Sequence, residues 1–274
     1  MLRHIFAAFS MLLIASAVQA QDSALRSLDT GEDSKGWTGV GRLNLAGRGF
    51  CTGALIAPNL VLTAAHCLFD KRDGTAIDPT TIEFQAGLRN GRAEAYRPIK
   101  RAVLHPSYRF DSAATAERVR NDLALLELNQ PVRNGAVQPF DIARHARKGD
   151  DVALVSYAHD RSDAPSLQDS CRVMARQSGV LVLSCNVDFG SSGAPVFSIV
   201  NGVAKIVSVV SAKAEADGQP VALGSQLDGS VDLLRNQLKS NVGVIQSKTA
   251  RVRHLGSAQS RANLTAKFVR PDGG

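Results

Sequence analysis

The sequence lacks the signals that would direct a 274-residue chain toward membranes or metals. After residue 20 no apolar run is long enough to cross a bilayer, which takes roughly 20 consecutive residues. None of its four cysteines stands in Cys-x-x-Cys spacing, and none of its six histidines in His-x-x-x-His spacing, so no metal site is expected. No internal repeat is present. Acidic residues are nearly missing from the C-terminal end, where seven basic residues follow Asn236 against one acid, Asp272. The segment 21–235 carries 24 residues of each sign, so the formal charge of +7 belongs to the tail. That tail carries one aromatic, Phe268, and no repeated interleaving of aromatic with basic residues, which removes the main argument for a nucleic-acid partner. It leaves a solvated extension, a segment removed during maturation, or weak adhesion to anionic envelope surfaces.

What is present begins with an export signal over residues 1–20. Arg3 and His4 open it, Ile5 to Val18 is mostly apolar, and Val18-Gln19-Ala20 supplies small residues for cleavage after Ala20. Secretion or a periplasmic location follows. Residues 21–35 are polar and without period, and read as a leader or strap. From Trp37 the chain becomes short β-type runs broken by Gly, Pro, Asn and Asp. Six runs lie between Val40 and Leu128, and six more between Val152 and Leu227, with a gap around Pro131 to Gly149. That arrangement predicts an all-β protein of two antiparallel six-stranded barrels, one over 36–135 and one over 136–240. A C-terminal helix closes the second unit, with Ser230 as its cap and Val231, Leu234 and Leu238 on one face. Residues 241–274 read as a basic, mobile tail.

Four cysteines in an exported chain suggest two disulfides, and four cysteines allow three pairings. The economical choice is Cys51–Cys67 with Cys171–Cys185. Each bridge would close a loop of about 15 residues, worth roughly 3 kcal/mol in the chain-entropy model.

Three runs carry chemistry. Val61-Leu62-Thr63-Ala64-Ala65-His66-Cys67 places a histidine directly after a β-branched strand and beside a cysteine. Asn121-Asp122 precedes the apolar run Leu123 to Leu126. Gly190-Ser191-Ser192-Gly193-Ala194-Pro195 supplies a serine in a turn that glycine makes accessible. A serine hydroxyl is a poor nucleophile until a base takes its proton. His66 can be that base and Asp122 can orient it. The N–H groups of Gly190 and Ser192 can meet the negative oxygen of a tetrahedral intermediate.

In these runs, and in the order His, Asp, Ser, the chain resembles the trypsin/chymotrypsin-like serine peptidases from about Trp37 to Leu238. The resemblance implies an endopeptidase without cofactor, acting on protein or peptide substrates through an acyl-enzyme, and expected as a monomer. It implies a cleft between the barrels, with Cys51–Cys67 holding the histidine turn. The digestive members carry an aspartate before the serine, which pairs with a new N-terminus after activation. Here that position is Ser191, and no Ile-Val-Gly-Gly start is present. The chain instead looks like the bacterial branch that includes the glutamyl endopeptidases, a branch in which a cysteine such as Cys185 stands seven residues before the serine.

By the same resemblance Asn186 sits at the floor of the primary specificity pocket, where an aspartate would select Lys or Arg. The glutamyl enzymes place a histidine on the following strand, where this chain has Val209-Val210-Ser211. A neutral residue before the scissile bond is therefore expected. Ser211 is a candidate for contact with the substrate backbone. A non-catalytic binding module on the same fold is the rival reading. An esterase using the same serine is a third, although Gly-x-Ser-x-Gly is absent around Ser192. His105, His145, His159 and His254 are assigned no catalytic or metal role.

Overall fold

A computed structural model describes residues 23–110, 115–143 and 146–247. The expected export signal, His145, His254 and most of the basic tail lie outside the described residues.

The first barrel is built from β2 (Val40–Asn44), β3 (Phe50–Ala57), β4 (Leu60–Thr63), β5 (Glu83–Ala86), β6 (Ala95–Leu104) and β7 (Ala124–Leu128), with a two-residue strand β1 (Arg26–Ser27) preceding them in the chain. Pairing runs β2–β3–β4–β7–β6–β5, and β5 returns to β2. All pairs are antiparallel, so the ring has no free edge to recruit another strand. Its filling is aliphatic with one large aromatic: Leu43, Leu55, Leu62, Ile82, Phe84, Ile99 and Leu125 are almost wholly buried. β3 is buried at six consecutive positions because one face meets this core and the other meets the second barrel.

The second ring repeats the plan. After a two-residue strand β8 (Asp141–Ile142) come β9 (Asp151–Ala158), β10 (Arg161–Gln177), β11 (Val180–Leu183), β12 (Pro195–Val200), β13 (Val203–Ala216) and β14 (Gln219–Gln226). Pairing runs β9–β10–β11–β14–β13–β12 and closes from β12 to β9. β10 and β13 are longer than the apolar runs predict. Their extra length holds polar residues such as Arg161 and Glu215, which pair with Ala158 and Pro220 of neighbouring strands and so need no hydrophobic alternation.

Among the described residues two α-helices accompany the barrels. The short α1 (Ala116–Arg120) was not foreseen; Thr115 caps it by accepting from the Arg118 N–H, and it delivers the chain to Asn121. The helix α2 (Ser230–Ser240) is the anticipated one and buries Val231, Leu234 and Leu238. Its cap position is Gly229, with φ of +69°, and Ser230 is the first helical residue. The left-handed backbone that enters this helix favours a residue without Cβ, which moves the boundary one place upstream. Beyond the helix, β15 (Val244–Ile245) pairs with Val103 and Ala102 of β6, so the first residues of the expected tail lie against the first barrel.

Candidate active site

β4 ends at Thr63, and the chain tightens into a 3₁₀ turn over Ala65–Leu68 that carries His66. Cys67 in that turn is bonded to Cys51 on β3, with the two Cα atoms 6.2 Å apart. Cys171 and Cys185 form the second disulfide, at 5.1 Å between Cα atoms. The anticipated pairing is thus the one adopted. Cys51, His66 and Cys67 bring their potential donor atoms within 4.8 Å of one another, but the disulfide leaves no thiolate to bind a metal.

Asp122 is fully buried at the entry to β7 and grips the histidine twice. Its Oδ2 lies 2.7 Å from His66 Nδ1, and its Oδ1 accepts the His66 backbone N–H at 2.8 Å. This fixes both the ring and the turn that bears it. The Ser211 hydroxyl donates to the same Oδ2 at 2.5 Å. Burial alone would raise the Asp122 pKa, but the charge and hydrogen bonds of His66, with the bond from Ser211, outweigh it and hold the carboxyl below its usual range. The Ser225 hydroxyl supports the neighbouring backbone by donating to the Val119 carbonyl at 2.5 Å. With Ser211, it ties β13 and β14 of the second barrel to the aspartate of the first.

Ser192 sits in the turn that precedes β12. Its carbonyl accepts from the Thr52 N–H at 2.8 Å, across the barrel boundary. Gly193, at φ of +80°, lies so close to β3 and β4 that an added Cβ would fall 2.1 Å from Thr63 Oγ1 and 2.3 Å from the Thr52 carbonyl. Gly190, at φ of +99°, lies against the Phe50 ring, where a Cβ would meet carbon at 2.3 Å. Among the described residues the N–H groups of Gly190 and Ser192 donate no hydrogen bond within the protein, and the Ser192 hydroxyl makes none either. Ser192 and His66 line one open cleft of about 450 Å³, together with Phe189, Val210 and Ser211.

The loop is held by neutral groups, of which sequence reading singled out Ser191 alone. Ser191 is wholly buried and its hydroxyl lies 3.3 Å from both Ser156 Oγ and the Tyr157 carbonyl. The Thr52 hydroxyl donates to the Gly190 carbonyl at 2.9 Å and accepts from the Tyr157 N–H at 3.1 Å. Tyr157 is anchored in turn by its own hydroxyl, which donates to the Leu88 carbonyl at 2.8 Å. Ser156 stands in no motif, and Thr52 stands in the run Cys51 to Ile56 that resembles the family; neither contact is legible locally, because the partners lie 35 and 138 residues away.

Asn186 is exposed and lines a neighbouring cavity of about 440 Å³, which shares Val187 and Lys213 with the Ser192 cleft. Ser211 lines the Ser192 cleft, with its hydroxyl committed to Asp122. A separate cavity of about 600 Å³ lies against α2 and includes none of the candidate site residues. His105 accepts from the Ser107 N–H at 3.3 Å in a turn after β6, and burial with the charge of Arg120 lowers its pKa. His159 is exposed beside the disulfide end of the cleft.

The family model for trypsin matches residues 32–224. The chain belongs to the trypsin family. Within it, this trypsin-family chain is 26% identical over 150 residues to a glutamyl endopeptidase of Bacillus licheniformis, a match over 54% of this chain and 45% of that protein. It is 29% identical over 126 residues to mannan-binding lectin serine protease 1 of Homo sapiens, over 41% of this chain and 17% of that one. With cathepsin G of Mus musculus the identity is 32% over 99 residues, or 36% and 33% of the two chains. The match spans less than half the length of each of these relatives. A solved Glu endopeptidase in complex with MPD shares the fold, with a TM-score of 0.65 at 17% identity, covering 82% of this chain and 100% of that one.

Proposed function

We propose that this chain is an exported serine endopeptidase that hydrolyses peptide bonds through Ser192, His66 and Asp122. The observation that carries the reading is the doubly hydrogen-bonded His66–Asp122 pair opening on the same cleft as Ser192. In the reaction His66 takes the Ser192 proton as the hydroxyl attacks the substrate carbonyl. The carbonyl oxygen becomes an anion, and the two unengaged N–H groups of Gly190 and Ser192 receive it. His66 then gives its proton to the leaving amine, and the carbon remains bonded to Ser192 as an ester. Water, deprotonated by His66, hydrolyses that ester and restores the serine. Asp122 keeps the imidazole oriented and stabilises its protonated form. Hydroxyl and imidazole commonly come into hydrogen-bond contact only when substrate closes the cleft, so their looser relation in the free protein fits this role.

Beside Ser192 the cleft wall offers Val187, Val210 and Ala212. The cleft lining also includes Lys71, Arg118 and Lys213, the last pairing with Asp188 at 4.0 Å, both of them half-exposed. The pair offsets the Lys213 charge, and the apolar wall beside Ser192 supports a neutral residue before the scissile bond. The two disulfides fit an oxidising compartment. The further readings are a monomer with no cofactor, a signal cleaved after Ala20, and a basic tail that binds anionic surfaces weakly.

The test is cleavage of a diverse peptide library by the full chain and its Ser192→Ala variant. Cuts after uncharged residues by the parent alone are expected. No cleavage by either would favour the non-catalytic module, and a profile dominated by Lys, Arg or Glu would overturn the neutral preference.

A further inference from the structure

The segment before the first barrel is stitched to the edge of the second. Ser23 N–H donates to the Ser170 carbonyl at 2.8 Å, while Ser170 N–H donates to the Ser23 hydroxyl at 2.9 Å. Arg26 and Ser27 pair with Leu167 and Ser166 of β10. Leu28 follows with its side chain wholly buried in the core and its N–H on the Pro165 carbonyl at 2.9 Å. A leader destined for removal has no need to fill a core position.

One side chain under this strap connects it to the site. Gln168 is 3% exposed. Its amide nitrogen donates to the Ser23 carbonyl at 3.0 Å, and its amide oxygen accepts the Asn186 N–H at 2.8 Å. Asn186 follows the disulfide-bonded Cys185 and begins the irregular stretch that runs through Asp188 and Phe189 to Gly190. Beyond Asn186 the stretch is held by the Phe189 carbonyl, which accepts from His159 N–H at 2.7 Å, and by the Thr52 bond to Gly190. Asp188 is engaged by the Ser191 hydroxyl and by Lys213, and between the disulfide and Asp188 the wall is tethered by Gln168.

We propose that the strap over residues 23–28 is a permanent part of the working protein and that Gln168 is a positioning residue, transmitting the strap's hold to the cleft wall at Asn186. A buried amide with one end on each segment makes the two interdependent: loosening the strap frees the glutamine, and the wall then loses the acceptor for its N–H. The wall flanks the cleft and not the reacting atoms, so the consequence falls on substrate binding more than on bond-making. The substrate side of this inference rests on the peptidase reading; the strap-to-wall link does not. Export cleavage after Ala20 leaves the strap intact.

The experiment compares the full chain with Gln168→Leu, which keeps the volume and removes both bonds, and with Ser23→Pro, which removes the strap's N–H and hydroxyl. Three quantities are read: KM and kcat on a peptide, the labelling rate of Ser192 by a small fluorophosphonate, and hydrogen exchange at the Asn186 amide. For Gln168→Leu we expect KM to rise about tenfold, the effect of one lost buried hydrogen bond, with kcat and labelling within about twofold. Ser23→Pro should raise KM in the same direction by a smaller factor and speed exchange at Asn186. Gln168→Glu, which keeps the acceptor for Asn186 but loses the donor to the Ser23 carbonyl, should raise KM as Ser23→Pro does, by less than Gln168→Leu. Unchanged KM in Gln168→Leu, or equal losses in KM, kcat and labelling, would overturn the positioning role. Unchanged Asn186 exchange in Ser23→Pro would overturn the link, whether or not the protein cleaves peptides. Absence of label on the parent Ser192 is a separate failure, that of the peptidase reading.

Discussion

The two sides of the cleft are built on opposite principles. The first barrel supplies a buried charge and fixes it strongly: Asp122 holds both the ring and the backbone of His66, and a disulfide closes the turn. The second barrel supplies the proposed nucleophile, Ser192, on a stretch without regular structure, held by neutral bonds from Thr52, Ser156 and Tyr157. A buried carboxylate without its partners is costly, so the first side has one stable arrangement. Neutral hydroxyl contacts are each worth only about 1 kcal/mol, so the second side depends on several acting together. The charged side should therefore fail abruptly on substitution and the neutral side by degrees.

That contrast orders the expected losses. Asp122→Asn leaves the shape and removes the charge that selects the imidazole's useful tautomer; kcat should fall about 10⁴-fold, measured by peptide hydrolysis. If the loss is below about tenfold, Asp122 is not the orienting group. On the neutral side, Thr52→Val should lower kcat by about tenfold, and combining it with Ser191→Ala should deepen the loss toward about a hundredfold, with KM little changed. A collapse as deep as that of Asp122→Asn from Ser191→Ala alone would erase the distinction between the sides.

Stability should follow the same division. Replacing Cys51 and Cys67 together by Ser should cost about 3 kcal/mol, read as a lower midpoint in denaturant. Acid should touch the charged side last. The Asp122 pKa is depressed in the fold, so its contribution to stability is complete above the unfolded carboxylate value, about 3.9, and is lost only as pH falls through the lower folded value. Between about pH 5 and 8 Asp122 should therefore add no ionisation to the profile of kcat/KM. An ionisation in that window that disappears in Asp122→Asn would contradict the assignment. The smallest effect concerns preference. Asp188→Asn leaves Lys213 without its acid and should shift cleavage modestly toward Glu and Asp, by about two- to fivefold in relative kcat/KM for a half-exposed pair.

What could be read in the sequence was what is local. The β-branched runs mark the strands because each barrel wall buries them, and the histidine, aspartate and serine stand in short runs whose neighbours serve the same purpose. The disulfide pairs were legible because each closes a short loop. What escaped has partners far along the chain. Thr52 acts on Gly190 and Gln168 acts on Ser23, contacts that no window of residues can display. Ser211 was read as a neighbour of the substrate backbone, and its hydroxyl is directed to Asp122 because β13 passes beside the entry to β7. The polar ends of β10 and β13 escaped for a different reason: outside the core, backbone pairing alone specifies a strand.

The measurement that reaches the central claim most directly is active-site labelling. The purified full chain is treated with a fluorophosphonate, and the adduct is mapped by peptide mass in the parent and in His66→Ala. The account predicts an adduct on Ser192 in the parent and labelling slower by at least about 10³-fold without the imidazole, because the hydroxyl then has no base. Labelling of another residue, or equal rates in the two proteins, would contradict it.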